Sequence, residues 1–173
     1  MPISQVNISK SFGTSLVLAF ESLMFSRVAS VGLFGLESYL VEVEANLGAG
    51  LPRFDIVGLP DTAVSESRER VRAAVHNNEY DFPVSRITIN LAPADKKKEG
   101  PVYDLPILVA ILKSTGQLRA NTDNCAFVGE LSLNGEVQKI NGVLPMVIRA
   151  QREKVENIFV PYNNRHEGAV VKG

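Results

Sequence analysis

Apolar residues occupy every second position between residues 39 and 47, and this alternation predicts a β-strand with one buried face. The preceding apolar stretch, residues 25–34, is predicted to be its hairpin partner, with Gly35 near the turn. The positions expected to face the core are Tyr39, Val41, Val43, Ala45 and Leu47.

Three longer segments have the apolar spacing or composition of helices. Asp61 is expected to cap the first helix, whose apolar stripe consists of Val64, Val71, Ala74 and Val75. The second, residues 105–112, is apolar on almost every side, which predicts a core position behind a cap at Asp104. A third is predicted over residues 143–154, and a short fourth over residues 167–170.

Further strand signals lie between these helices. Residues 54–57 and 86–91 are predicted strands, and residues 158–160 are expected to end the sheet. Asn134-Gly135 separates the apolar stretches 127–133 and 136–140, which predicts a hairpin with a type I′ turn. Because two hairpins are mixed with strand–helix pairs, we predict an α+β fold in which helices pack against a mixed sheet.

Composition describes one globular domain without a general affinity for polyanions. Of 173 residues, 45% are hydrophobic and 21% are charged, and the net charge is −1. Binding to nucleic acid therefore requires a local patch, and no membrane association is expected. The single cysteine, Cys125, excludes an internal disulfide and suits a reducing cytoplasm.

Residues 1–23 differ in character from the rest of the chain. Their apolar run is short and is closed by Glu21, so it fits neither a signal peptide nor a transmembrane segment. We interpret this stretch as a poorly ordered upstream extension, derived from cloning or from a mis-assigned start before Met24. The domain itself is expected to span residues 24–173.

The motifs of common catalytic and metal sites are missing. The sequence contains no Gly-x-x-x-x-Gly-Lys-Ser/Thr phosphate loop, and neither His76 nor His166 has a second ligand at metal-binding spacing. Glu42 and Glu44 are interpreted as solubilising charges on the exposed face of their strand. We therefore predict no catalytic, cofactor-binding or metal-binding residues in this chain.

Two basic segments are candidates for contact with DNA or a partner protein. Lys96, Lys97 and Lys98 follow one another in a polar loop, and Arg68 and Arg72 lie in the charged part of the first helix. Adjacent lysines can neutralise phosphates without reading sequence. The alternative is that these charges only keep the loop and the helix hydrated. Both interpretations stay open at this point.

Three stretches resemble one family of proteins. The longest reads Ala-Pro-Ala-Asp-Lys-Lys-Lys-Glu-Gly-Pro-Val-Tyr-Asp-Leu-Pro over residues 92–106. Phe-Asp-Ile-Val-Gly-Leu-Pro-Asp (54–61), with Glu-Arg-Val-Arg-Ala-Ala (69–74), and Val-Gly-Glu-Leu-Ser-Leu-Asn-Gly (128–135) agree with it. They resemble the magnesium-chelatase-like AAA+ proteins of the ComM family, which are associated with natural transformation and DNA branch migration.

The resemblance implies a Lon-protease-like, amino-terminal domain with the ribosomal protein S5 domain 2-like fold. It implies that the domain precedes a hexamer-forming AAA+ motor, which would hold ATP and Mg²⁺. In Lon-type proteases a serine and a lysine form the catalytic dyad, and these positions fall on Val102 and Leu144. The family's own loop reads Ser-Phe where this chain has Val102-Tyr103.

The implied function is a non-catalytic interaction and assembly domain of a DNA-remodelling AAA+ ATPase. Its expected partners are its own carboxy-terminal AAA+ domain, further copies in a homo-hexamer, and DNA. The alternative is a serine-lysine peptidase, for which Ser114 and Lys139 are the nearest residues of the required types, each several positions away. A third possibility is the similar non-catalytic tail of RadA-type ATPases, which follows its motor.

Overall fold

A hairpin of two long strands forms the centre of the fold. The computed structural model describes residues 24–35 and 37–171, so the predicted extension 1–23 lies outside the described residues. In chain order the elements are β1 (Phe25–Phe34), β2 (Glu37–Gly48), β3 (Arg53–Val57), α1 (Thr62–Asn77), β4 (Arg86–Ala92), a 3-10 turn (Pro101–Tyr103), α2 (Asp104–Ser114), β5 (Cys125–Phe127), β6 (Glu130–Leu131), β7 (Val137–Gln138), α3 (Val143–Arg152), β8 (Asn157–Phe159), a second 3-10 turn (Tyr162–Asn164) and α4 (Arg165–Gly168).

Six strands form one mixed sheet in the order β3-β4-β2-β1-β5-β8. β2 is antiparallel to both β1 and β4, whereas the outer pairs β3–β4 and β5–β8 are parallel. The alternating positions 39, 41, 43, 45 and 47 of β2 are all buried, so the alternation in the sequence set its inward face correctly. This sheet with its packed helices confirms the predicted α+β class.

Helices cover both faces of the central hairpin. α2 packs against one face, where the Ser26 hydroxyl donates a hydrogen bond to the Ala110 carbonyl over 2.6 Å. Leu33 points to the opposite face, because it lies an odd number of residues from Ser26, and there it meets Gly142 at the start of α3. Within the described residues, no helix is both long and apolar enough to cross a bilayer.

The Asn-Gly hairpin is present, but its geometry differs from the prediction. β6 pairs with β7, whereas Phe127 belongs to β5 in the main sheet, so residues 127–133 are not one strand. Gly135 has φ +88° and donates its N–H to the Ser132 carbonyl, but Asn134 is not among the residues with positive φ. The predicted type I′ turn is therefore wrong. The loop is a three-residue connection with glycine in the left-handed position.

Candidate functional site: the cleft at Val102 and its charged surroundings

A cleft of about 340 Å³ lies where the 3-10 turn before α2 faces the β6–β7 hairpin and the start of α3. Its polar lining includes Glu99, Glu130, Lys139 and Asn141, and its apolar lining includes Val102 and Met146. The backbone closes one side, because Gly129 donates its N–H to the Val102 carbonyl over 2.9 Å. The cleft is large enough to accept a side chain or a short peptide segment.

The two positions that the resemblance assigned to a dyad are separated in the structure. Val102 is buried and lines the cleft, whereas Leu144 is 37% exposed in the first turn of α3 and is not part of the lining. No serine, threonine or cysteine lines the cleft among residues 24–35 and 37–171. The amine in the cleft is that of Lys139, and it has no hydroxyl beside it to deprotonate.

Ser114, the serine nearest to Val102 in the sequence, is held elsewhere. Ser114 is buried at the far end of α2, where its hydroxyl donates to the Ile111 carbonyl over 2.9 Å. One amine does meet a hydroxyl, because the Lys113 Nζ donates to the Thr122 Oγ1 over 2.6 Å. Thr122 is buried, and neither residue lines the cleft at Val102. This pair ties the loop after α2 to the helix instead of presenting a nucleophile to a substrate.

Asp104 does not cap α2 as predicted; it forms the centre of a buried polar network beside the cleft. Its carboxylate accepts hydrogen bonds from the Ser67 hydroxyl, from Arg70 Nε over 2.6 Å and Nη2 over 3.1 Å, and from the Leu131 N–H over 3.0 Å. Asp104 raises the pKa of Arg70, chiefly through these hydrogen bonds. The network fixes α1, α2 and β6 together.

Arg70 lies among the charged residues of α1, but its side chain is largely buried and is not part of a solvated face. Its side chain is only 18% exposed, and its pair with Glu66, at 3.7 Å, is secondary to the pair with Asp104. The sequence offered one signal of this buried ion pair, namely an aspartate at the start of a helix that is apolar on every side. A local rule assigns that aspartate to a cap, whereas its actual partner lies 34 residues away in the chain.

The three consecutive lysines do not form one surface. Lys98 is 0% exposed, and its ammonium donates to the carbonyls of Pro93 and Lys96, so the expectation that it meets phosphates is wrong. Burial lowers the pKa of Lys98. Its backbone also pairs with the segment before α1, since its N–H donates to the Leu59 carbonyl over 3.0 Å. Lys98 therefore anchors the loop.

Lys96 and Lys97 remain near the surface, and each has an acidic partner. Lys96 lies 2.8 Å from the Glu37 carboxylate and 4.9 Å from the centre of the Tyr39 ring. Lys97 lies 2.8 Å from the Glu99 carboxylate, which raises the pKa of Lys97. Exposed pairs of this kind contribute little to stability, but they reduce the charge that is available to a polyanion.

Arg68 and Arg72 lie apart from the lysines. Arg72, on α1, lies near the segment that leads into β4, because its guanidinium is 5.3 Å from the centre of the Phe82 ring. Lys96 follows the other end of the same strand. The two basic segments named as candidates in the sequence therefore lie near opposite ends of β4. Among the described residues, no group of three or more His, Cys, Asp or Glu side chains has a metal-binding arrangement.

Tyr103 brings its hydroxyl into the core. The side chain is fully buried against Gly32 and Tyr39, and its Oη makes no hydrogen bond of normal geometry. Burial raises the pKa of Tyr103 far above its ordinary value. The phenol therefore stays neutral and cannot serve as a base.

Replacing Tyr103 with phenylalanine is expected to raise the free energy of unfolding by about 1 kcal/mol at pH 7, because it removes a buried hydroxyl whose contact with the Tyr39 hydroxyl lacks the geometry of a full hydrogen bond. Since the folded-state pKa is raised, the wild type loses stability as pH rises above the unfolded value near 10. The difference between the two proteins should therefore widen above pH 10 in urea unfolding. A loss of stability at pH 7 would contradict this account.

Comparison with known proteins agrees with these features. The family model described as subunit ChlI of Mg-chelatase matches residues 43–164. An uncharacterized protein of Mycobacterium bovis is 42% identical over 148 residues, which are 85% of this chain and 29% of that protein. Competence protein ComM of Haemophilus influenzae is 39% identical over 151 residues, which are 87% of this chain and 29% of that protein.

A more distant likeness concerns the fold. A Lon protease of Mycolicibacterium smegmatis is 26% identical over 137 residues, which are 76% of this chain and 18% of that protease. The chain thus spans less than a third of the length of the relatives that it matches. Since the family model covers most of the described domain and relatives in separate organisms match at 39% and 42% identity, the chain belongs to the magnesium-chelatase-like family of subunit ChlI.

Proposed function

We propose that this chain is a non-catalytic, amino-terminal interaction and assembly domain of a longer magnesium-chelatase-like AAA+ ATPase. The observation that carries the proposal is the cleft at Val102. It keeps a defined shape and polar walls, but a valine stands where a nucleophile would be needed. A concave cleft with polar and apolar walls is suited to holding a segment of a partner protein.

The parent protein is proposed to be an ATP-driven, DNA-remodelling motor that acts in branch migration and competence. This part rests on membership of the family and on the relative named competence protein ComM. The motor would follow this domain, bind ATP and Mg²⁺, and assemble as a homo-hexamer. We place it in the cytoplasm, where the free thiol of Cys125 would stay reduced.

DNA contact by this domain is proposed through exposed basic side chains. Arg68, Arg72, Lys96 and Lys97 remain candidates, whereas Lys98 does not, because its ammonium is buried and satisfied by carbonyls. The serine-lysine peptidase is the disfavoured alternative. It requires a hydroxyl within hydrogen-bond reach of an amine in the cleft, and the lining offers Lys139 without one.

Removing residues 1–171 from the full-length parent is expected to weaken hexamer formation in the presence of ATP, because the docking surface of the domain is lost. The measurement is sedimentation velocity at several protein concentrations. The expected result is a shift of the hexamer midpoint to at least about ten-fold higher concentration, which corresponds to about 1.4 kcal/mol. The ATPase rate per subunit at saturating protein reports whether the motor is intact.

Two results would contradict the proposal. Equal assembly with and without the domain, with an intact motor, would remove its assembly role. Stoichiometric labelling of the folded chain by a fluorophosphonate probe would support the peptidase instead, because such probes react with activated serines.

A further inference from the structure

A hollow of about 550 Å³ lies between the β6–β7 hairpin and the segment that follows β8. We call it the β7–β8 hollow. Consecutive residues 136–138 line one side of it, and consecutive residues 159–163 line the other. Neighbouring residues of an extended chain point to opposite faces, so a run of consecutive residues means that the strand edge, and not one face, borders the hollow.

The β7 edge of this hollow has no strand beside it. Ser132 donates its N–H to the Glu136 carbonyl over 3.0 Å, so Glu136 is directed at β6 and the next residue, Val137, is directed away from it. Leu131, which is opposite Val137 in the register, is also directed outward, and its N–H donates to the Asp104 carboxylate. Within the described part of the chain β7 pairs with β6 alone, so the N–H and C=O of Val137 stay open.

The other side of the hollow is a second open edge. Val128 donates its N–H to the Phe159 carbonyl over 3.0 Å, which directs Phe159 at β5 and the next residue, Val160, away from it. Val160 precedes Pro161, and this position favours an extended backbone. β8 is the last strand of the six-stranded sheet, so its outer side has no partner strand among the residues that the structure describes.

The side chains around the hollow are largely apolar, with one free carboxylate at the rim. Phe159 is 50% exposed, although its ring stacks on Phe127 with the centroids 4.7 Å apart, and Tyr162 is 73% exposed. Val137 is 37% exposed. Glu136 is exposed and forms no ion pair with any residue that the structure describes. Exposed apolar surface of this kind marks an interaction site.

An extended polypeptide segment matches these features. In strand addition the backbone of the added segment pairs with an open sheet edge, and its alternate side chains enter the pockets beside that edge. A phosphate backbone is disfavoured, because it offers no donors to the open carbonyl groups and because Glu136 would repel it. The segment is expected to place an apolar side chain against Phe159 and a basic side chain opposite Glu136.

We propose that an extended segment of the AAA+ part of the parent protein adds as a strand to the open edge of β7 in this hollow. The proposal rests on the proposed function, because it requires a longer parent with a motor. It deepens that function by naming a docking surface separate from the cleft at Val102.

Two observations favour the parent's own chain as the occupant. This chain covers only 29% of the length of the relatives in Mycobacterium bovis and Haemophilus influenzae. α4 also packs beside the hollow, because a Cβ atom on Gly168 would lie 3.8 Å from Cγ2 of Val160. A segment that is tethered to the same chain binds at a high effective concentration, so even a short strand can be held.

The test is amide hydrogen exchange, compared between this chain alone and the full-length parent with ATP. The amides of Val137 and Val160 are expected to exchange at least about ten-fold more slowly in the parent, because an added strand supplies hydrogen-bond partners to the open edge. The opposite edge of the sheet, β3, is the internal control and should exchange equally in both proteins.

Two variants of the parent separate strand addition from other contacts. Val137→Pro removes the N–H at an edge position, where proline is tolerated, and should abolish the slower exchange at Val160. Glu136→Lys reverses the charge at the rim and should reduce the protection at least about three-fold. Glu69→Lys makes the same charge change on the exposed side of α1, so it is the matched control and should leave the protection unchanged. Thermal unfolding checks that each variant is folded.

The proposal is overturned if both edges of the hollow exchange equally in the chain and the parent, or if Val137→Pro keeps the full protection. Slower exchange confined to residues 99–102 and 139–141 would place the motor in the cleft at Val102 instead. Slower exchange that appears in the chain alone as its concentration rises would assign the edge to a second copy, which also overturns the proposal. Each of these results leaves the assembly role intact, because sedimentation of the parent tests that role separately.

Discussion

Replacing Asp104 with alanine is expected to lower the free energy of unfolding by about 3–5 kcal/mol, the cost of breaking a buried pair by removing one partner. The carboxylate is fully buried and accepts hydrogen bonds from Ser67, Arg70 and the Leu131 N–H. Without it, a guanidinium group that is only 18% exposed loses its counter-charge, and a buried N–H loses its acceptor. Domains of this size have about 5–15 kcal/mol of stability, so the loss is a large fraction of the total.

Glu66 provides the matched control, because it is the other carboxylate that contacts Arg70. Its side chain is 64% exposed and lies 3.7 Å from the guanidinium, so Glu66→Ala should cost less than about 1 kcal/mol. Both variants are compared by urea unfolding at pH 7. If Asp104→Ala remained within about 1 kcal/mol of the wild type, the network would not hold α1, α2 and β6 together as described.

The Asp104 network also bears on the cleft. Leu131 follows Glu130, which lines the cleft, and the Leu105 N–H donates to the Gly129 carbonyl over 3.0 Å. The same short segment therefore carries both the cleft wall and the acceptor for α2. We infer that the buried Asp104–Arg70 ion pair helps to fix the shape of the cleft. This shape does not require a catalytic residue at Val102.

Replacing Gly58 with alanine is expected to cost about 3 kcal/mol, from strain at an unfavourable φ combined with overpacking. Gly58 follows β3 with φ +101°, and a Cβ atom there would overlap the Leu91 carbonyl group of β4. The backbone cannot move aside easily, because Leu91 is paired with Val43 of the central hairpin. The segment from Gly58 to Asp61 places the start of α1 and pairs with Lys98, so this strain would reach the loop as well.

Gly50 separates the two contributions. Its φ is +123°, but a Cβ atom at this position would meet nothing within 4 Å. Gly50→Ala should therefore carry only the conformational cost, about 1 kcal/mol. Chemical unfolding of both variants gives the difference. Equal losses for the two glycines would show that close contact with β4 does not explain the Gly58 position.

What the sequence determined by itself was local and periodic. The alternation from Tyr39 to Leu47 fixed the inward face of β2, and the stripe from Val64 to Val75 fixed the buried side of α1. The cap at Asp61 was also predictable, because its carboxylate accepts from the Val64 N–H only three residues away. Such features follow from the repeat of one element, so they need no knowledge of the other elements.

What only the tertiary structure decided was which polar groups meet across the chain. Asp104 meets Arg70 over 34 residues, and Lys98 turns inward to carbonyl groups of its own loop. No repeat in the sequence encodes these partners, because the identity of a charged residue does not show whether its side chain is solvated or paired. Burial makes pairing obligatory, and burial is settled only when the layers pack.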